Sequence, residues 1–257
     1  MKKVYYLLVL CILLGLCIPV IGMHIGMNEN NSAIDSVKQF TGNQKMELKV
    51  CGYEHTPHAE YVVVFGENTE YWVNADTNRV ERLSSYGDLD DCNRVLVTEE
   101  EAILIAESFI KAHDKQGKFS DLSLVMNELN DGGDIRTFDF LWREYLGEIE
   151  SFNFVFVSVN PTSGAIIHYL WIERPISISL ENKITQEEAE LITIYQLPDI
   201  QGEHIASQLK IGYDGKGVQR LIWECTVTGQ PRNYIPQGGM VLIDAHTGEI
   251  IRIDTLM

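Results

Sequence analysis

Basic residues are scarce in this chain: 20 lysines and arginines stand against 37 aspartates and glutamates over 257 residues, a formal charge of −17. No basic run occurs, and without clustered Lys and Arg to neutralise phosphates, nucleic acid is disfavoured as a partner. Anionic lipid headgroups are disfavoured on the same ground. Prolines number only 7 and no Gly/Ser-rich tract interrupts the sequence, which argues against a long flexible linker and for a chain compact nearly throughout. The sequence frames that announce catalysis are missing as well. It holds no G-x-S-x-G or H-E-x-x-H of a hydrolase and no G-x-x-x-x-G-K-[ST] of a nucleotide-binding loop. Gly117-Lys118 and Gly215-Lys216-Gly217 are loop glycines outside any such frame.

Long apolar runs are missing too, except at the start. Lys2 and Lys3 precede an almost unbroken apolar stretch from Val4 to Met23, the charged and hydrophobic regions of an export signal. The chain is therefore expected to be exported. Val20 and Gly22 are small enough to sit at the −3 and −1 positions of a signal peptidase site before Met23, while about 20 apolar residues also suffice to span a bilayer. Residues 1–23 thus read as a signal peptide or an N-terminal membrane anchor, and the membrane is met only through this segment. Leu16 before Cys17 departs from the small residue a lipidated cysteine requires. Beyond the segment only Cys51, Cys92 and Cys225 remain. An oxidising exterior permits one pair among them, with the pairing open, and the want of any C-x-x-C argues against a zinc or thioredoxin-like site.

What the sequence has in place of catalytic frames is repetition. TEEEA at Thr98–Ala102 and TQEEA at Thr185–Ala189 are two capping boxes, in which the Thr hydroxyl accepts from the backbone N–H three residues on and Glu101 or Glu188 reaches back. After the first, Ala102, Ile105, Ala106 and Phe109 form an apolar helical stripe with Gly117 as a stop. The second helix is shorter, because Pro198 pushes Leu197 out of helical geometry. A fainter copy without the cap begins near Ser32, with Ala33, Ile34, Val37 and Phe40 before Gly42. Downstream, VNADTNRV (Val73–Val80), VNPTSGAI (Val159–Ile166) and IDAHTGEI (Ile243–Ile250) align without gaps. They read as tight turns between antiparallel strands with Asn78, Gly164 and Gly248 at positive φ. Between helix and turn, Tyr61–Phe65, Phe152–Val159 and the alternating Phe138, Phe140 and Trp142 are strand-like. The expected class is α+β: three repeats of one helix packed on an antiparallel sheet of about four strands, over residues 30–85, 96–173 and 184–257. Ser84–Val97 and Arg174–Lys183 are the expected junctions.

The TEEEA-type helix start, the run of strands and the closing (I/V)DAxTGE(I/V)-type turn together resemble PepSY domains. Thr98–Trp171 and Thr185–Thr255 carry the resemblance, and Ser32–Leu83 carries it more loosely. The resemblance implies function by contact: PepSY modules occur in propeptides of secreted thermolysin-like proteases and in cell-surface proteins, where protease inhibition or chaperoning has been suggested. It implies a protein partner, a secreted or surface protease among the candidates, and it brings no catalytic residue. The leading expectation is an exported, non-enzymatic binding or protease-modulating module. The alternatives are an exported hydrolase with an unrecognised site and a purely structural cell-surface ectodomain.

No catalytic, cofactor or metal residue is assigned, and the binding residues are unknown from sequence. His55 and His58, flanked by Glu54 and Glu60, have the chemistry of a zinc or copper pair, yet Pro57 places them in a loop and two ligands seldom fix a metal. Asn74, Asp76 and Asn78 have the alternate spacing of a calcium loop, but Arg79 stands where glycine is needed and Ser85 where the bidentate acid belongs, which favours a strand turn. Asp88, Asp90 and Asp91 read as a solvated junction. Glu99, Glu100, Glu101, Glu187 and Glu188 are capping acids rather than acid/base pairs. Trp72, Trp142, Trp171 and Trp223 lie in strand-like context, and one on an uncovered face is a candidate binding anchor. Export without lipidation is expected to give, by intact mass after cell fractionation, a chain beginning at Met23 or one retaining the apolar segment; a chain acylated at Cys17 contradicts this.

Overall fold

The computed structural model describes residues 27–56, 59–87, 94–131, 135–197, 200, 202–232 and 235–256. The expected signal or anchor segment, His58, the Asp88, Asp90 and Asp91 cluster, Cys92 and Pro198 lie outside the described residues.

Among the described residues, three α-helices and twelve strands follow one another in a regular order. Helix α1 (Met27–Thr41) precedes β1 (Lys49–Thr56), β2 (Ala59–Gly66), β3 (Thr69–Asn74) and β4 (Val80–Ser85). Helix α2 (Glu99–His113) precedes β5 (Leu122–Asn130), β6 (Thr137–Leu146), β7 (Ile149–Val159) and β8 (Ile166–Ile172). Helix α3 (Gln186–Gln196) precedes β9 (Gly202–Tyr213), β10 (Gln219–Arg232), β11 (Ile235–Asp244) and β12 (Ile250–Leu256).

Both capping boxes form. Glu101 N–H donates to Thr98 Oγ1 at 3.2 Å and Thr98 N–H to Glu101 Oε2 at 2.9 Å. Glu188 N–H donates to Thr185 Oγ1 at 3.2 Å and Thr185 N–H to Glu188 Oε2 at 2.8 Å, so two open donors are satisfied at each helix start. Helix α1 begins before Ser32, at Met27, and ends against Gly42 at φ 70°. Helix α2 stops at His113, earlier than Gly117, because the Asp114 carboxylate gathers the N–H groups that follow it. Leu197 ends α3 at φ −123° and ψ 56°, outside helical geometry.

The three turns are built alike. Oδ1 of Asn74, Asn160 and Asp244 accepts two backbone N–H groups in each case, those of Asp76 and Thr77, Thr162 and Ser163, and His246 and Thr247, at 2.8 to 3.1 Å. The carbonyl of the same residue accepts from Asn78, Gly164 or Gly248 at 2.8 to 2.9 Å. Those three residues carry φ of 53°, 74° and 76°, which asparagine and glycine tolerate best. Two of the turns also hold the chain that leads into a helix. Pro161 O accepts the N–H groups of Leu96 and Val97, just before Thr98, and Ala245 O those of Lys183 and Ile184, just before Thr185. Ser32 of α1 donates to Asn78 Oδ1 at 2.7 Å. The expected junctions are thus pinned at their ends near the helices.

The expected three repeats, each one helix on its own antiparallel sheet of about four strands, are overturned by the strand pairing. β4 pairs antiparallel with β8 through Arg82↔Leu170, Leu83↔Tyr169 and Ser84↔His168, and β7 pairs parallel with β9 at Glu150↔Lys210. The twelve strands form one large mixed sheet, hydrogen-bonded in the order β1-β2-β3-β4-β8-β7-β9-β10-β11-β12, with β5 joined to β6 and β6 to β7. Sheet dominates, with only three helices among the described residues. The physical reason is the edge: a separate four-stranded sheet exposes two rows of N–H and C=O groups, which pairing satisfies. Side-chain alternation identifies strands and leaves their neighbours unspecified.

The chain divides into two compact units. The first comprises the described part of Met1–Ala106 with Leu129–Phe138 and Val157–Leu170. In it α1 lies on β1–β4, burying Ala33 and Val37 among Val62, Val64, Tyr71, Val73 and Val80. Phe40 stacks at 5.7 Å on Tyr169 and 6.4 Å on Tyr71. Buried Glu81 accepts from Tyr61 Oη at 2.8 Å and Asn74 Nδ2 at 3.1 Å, so the turn asparagine is anchored from its second side-chain atom as well. The second unit comprises Glu107–Glu128, Asp139–Phe156 and Trp171–Met257. Here α3 lies on β9, β10 and β11, and Ala189 packs into a core of Leu221, Trp223, Cys225, Val241 and Ile243. Trp223 Nε1 donates to Ile184 O at 2.8 Å.

Loss of a cap in Thr98→Ala or Thr185→Ala is expected to cost about 1 kcal/mol. Gly248→Val is expected to be at least as harmful, since its φ of 76° is strained for a β-branched residue and the added Cβ meets Ile184 Cδ1 at 3.3 Å. Thermal unfolding of purified variants measures all three; unchanged midpoints contradict the roles assigned to cap and turn.

Candidate functional site

In the second unit the end of β8 opens a cleft of about 340 Å³. β6 contributes Glu144, β7 Asn153 and Phe154, β8 Trp171 and Ile172, the segment after it Glu173–Ile176, the loop after α2 Gln116 and Lys118, and the start of β5 Leu122. Charges of both signs, an amide and an apolar floor meet in one concavity.

The polar groups are held by one another. Ser151 Oγ and Asn153 Nδ2 both donate to Glu144 Oε2, at 2.8 and 2.9 Å. Asn153 then grips the backbone of Arg174, accepting its N–H at 2.8 Å and donating to its carbonyl at 3.1 Å. Ser151 and Asn153 are buried, so these bonds stand where an unmet polar group is costly. The result fixes the strand exit that carries Arg174 and Pro175 along the cleft.

The part of the lining formed by Gln116 and Lys118 depends on Asp114. Its Oδ1 accepts the N–H groups of Gln116 and Lys118 at 3.1 Å each, and Oδ2 that of Phe119 at 2.7 Å. Partial burial pushes this carboxyl up, but the backbone hydrogen bonds from Phe119, Lys118 and Gln116 outweigh it and hold the pKa below the ordinary value. The loop so ordered presses the Phe119 ring edge-on to Trp142 at 5.4 Å and places Lys118 at the cleft.

Next to the cleft runs β5, which pairs with β6 alone among the described strands. Leu124, Val125 and Leu129 on it are exposed. An edge strand with unguarded apolar side chains is a template for an added strand. Also in the second unit, Arg143 and Lys210 flank Glu150 at 3.1 and 3.8 Å, Lys210 reaches Glu224 at 2.8 Å, and the Arg143 guanidinium lies 5.5 Å over Phe154 of the cleft.

The residues singled out from sequence lie mostly elsewhere. His55 faces Glu60 across the β1–β2 pair, Nδ1 to Oε1 3.3 Å, with both side chains exposed. Asn74 and Asn78 spend their side-chain oxygens within the turn and on Ser32. Glu101 and Glu188 are occupied as caps. Cys51 is exposed and Cys225 buried. Trp142, Trp171 and Trp223 are buried, whereas Trp72 is half-buried beneath Arg82, whose guanidinium lies 4.5 Å above its ring. Of these, Trp171 alone reaches the cleft. Sequence reasoning missed Glu144, Ser151, Asn153 and Asp114; Asp114, four residues ahead of Lys118 in a stretch with a glycine, carried the one local signal of a side-chain-closed loop.

Fold and cleft together define a sheet-dominated protein with a concavity of mixed polarity beside an edge strand. No family model and no curated protein sequence matches the chain. Among solved structures it is similar to the Bacillus megaterium YpeB C-terminal domain, at 13% sequence identity and a TM-score of 0.47, covering 92% of this chain and 100% of that one.

The depressed Asp114 pKa sets a pH dependence. A carboxyl whose folded pKa lies below its unfolded value stabilises fully above the unfolded value and loses that contribution as pH falls through the folded one. Asp114→Asn is therefore expected to lower the melting midpoint at neutral pH, with the gap to the unaltered protein closing in acid. Melts from pH 7 down to about 2.5 test this; a gap independent of pH assigns the effect to something other than the carboxylate.

Proposed function

We propose that the protein is an exported, non-catalytic module of PepSY type that binds a protein partner, a segment of which adds in extended form along β5 and seats a side chain in the adjoining cleft. The observation that carries this reading is the junction of an apolar edge strand with the cleft at Leu122. Added strands gain affinity from main-chain hydrogen bonds and selectivity from side-chain pockets, and β5 with the cleft offers both. The Glu144 carboxylate supports binding over chemistry, because Ser151 and Asn153 already engage it and their bonds shape the wall. A formal charge of −17 favours a basic partner segment. A secreted or cell-surface protease, restrained or chaperoned by contact, is the partner class proposed.

The test joins binding to activity. Co-exported proteases are assayed with and without the chain, and the complex is measured at low and physiological salt. The expected outcome is altered protease activity and slower association at the higher salt. Val125→Asp on β5 is expected to weaken the complex by about tenfold or more without unfolding the protein. Binding indifferent to that substitution refutes the strand-addition site. Turnover of a peptide, ester or phosphate substrate that survives repurification and is lost on one substitution refutes the non-catalytic reading.

A further inference from the structure

The strands that follow the three alike turns are β4, β8 and β12, and their residues align with the turns: Arg82, His168 and Arg252 are equivalent, as are Leu83, Tyr169 and Ile253, and Ser84, Leu170 and Asp254. Two of these strands are already paired, within the first unit. β4 and β8 meet antiparallel with Arg82 opposite Leu170, Leu83 opposite Tyr169 and Ser84 opposite His168. In terms of equivalent positions, the central residue faces its own counterpart and each flanking residue faces the counterpart of the other. That is the pattern of a two-fold axis through Leu83 and Tyr169, and both of these side chains are buried.

The third strand of the set stands differently. Among the described strands β12 pairs with β11 alone. Ile253, at the position buried in the other two, is 41% exposed, and Ile250 on the same strand is 40% exposed. Arg252 and Asp254 flank it with side chains 60% and 37% exposed, 2.8 Å apart along the strand. An apolar edge strand left open in this way is a pairing surface.

We propose that β12 pairs antiparallel with β12 of a second copy of this chain, in the register that β4 and β8 use. The two-fold axis then passes between Ile253 and the partner's Ile253. Arg252 faces the partner's Asp254, and Asp254 faces the partner's Arg252. The interface is self-complementary in both charge and apolarity, as an isologous contact must be. Neither β4 nor β8 carries opposite charges at the two flanking positions, so the Arg252–Asp254 arrangement belongs to the strand that meets its own copy.

The test is sedimentation of the full chain over a range of concentrations, with circular dichroism to verify folding of each variant. The unaltered protein is expected to dimerise reversibly. Arg252→Glu places an acid opposite the partner's Asp254 twice and is expected to weaken the dimer by about tenfold. Adding Asp254→Arg to Arg252→Glu reverses both signs and is expected to restore it to within about twofold. Ile253→Cys, lying on the axis, is expected to form an inter-chain disulfide under mild oxidation beyond any seen with the unaltered protein. A monomer at every concentration, a dimer indifferent to Arg252→Glu, or no rescue in the double variant would overturn the proposal. Association through any other face does not respond to the charge exchange, so the outcome is independent of partner binding at β5.

Discussion

Everything in this fold hangs on a single kind of corner, an Asn or Asp whose side chain closes a strand turn. The carboxamide or carboxylate oxygen takes two successive N–H groups, the residue directly after them lies in the left-handed region, and the chain returns as an antiparallel strand. In the two better-capped copies the following carbonyl, of Pro161 or Ala245, then takes the last two N–H groups before a helix. Since Thr98 and Thr185 come next and cap their helices, one corner fixes a hairpin and a helix entry at once. The second side-chain atom adds a tie to the sheet, from Asn74 to Glu81 and from Asp244 to Arg220 at 3.2 Å. The bonds that close each corner are local, while those of Pro161, Ala245 and Asp244 reach residues far along the chain, so a local corner sets where long elements lie.

That locality explains how much of the structure could be read from the sequence. The caps at Thr98 and Thr185 and the positive φ of Asn78, Gly164 and Gly248 were legible because each is decided within six residues. The early stop of α2 at His113, set by Asp114, is a local failure, whereas the larger ones are non-local. Phe138 and Phe140 flank polar Asp139 and suggest a strand wet on one face, but Thr137 and Asp139 are buried too, so the start of β6 is covered on both faces. Pairing of β4 with β8 and of β7 with β9 depends on edges that no periodicity marks, which is why three separate sheets were expected where one mixed sheet forms. The cleft was invisible for the same reason. Glu144, Asn153 and Arg174 come from three elements, and nothing in their spacing shows that buried Asn153, tied to Glu144, holds the exit of β8.

The exposed surface follows from the same geometry. A helix covers part of a sheet, and the N–H and C=O groups at an uncovered edge need partners. In the first unit β4 and β8 meet that need for each other about a local two-fold, while β1 pairs with β2 alone among the described strands. In the second unit β12 and residues 122–128 of β5 pair on one side only among the described strands, and both carry exposed apolar residues, although the β12 ladder also has a register shift between Ile250 and Arg252. Their chemistry nonetheless differs. β5 lies beside a cleft with room for a foreign side chain, whereas β12 presents an isoleucine between an arginine and an aspartate, a sequence complementary to itself under a two-fold rotation.

This difference decides which edge suits which partner. A foreign strand gains nothing from the reciprocity of Arg252 and Asp254, since a two-fold pair counts each contact twice only when both strands are the same. It gains from a pocket, because selectivity among extended segments resides in side chains while the main-chain bonds are common to all. A strand that a second copy offers to the cleft must first leave its own sheet, which forfeits the hydrogen bonds and apolar burial that hold it in place. Strand addition at β5 and self-pairing at β12 therefore do not compete for the same groups. On the two proposals, a basic, extended partner segment takes the β5 edge of the acidic chain, and the β12 edge is left to a second copy, whose Arg252 and Asp254 complement its own.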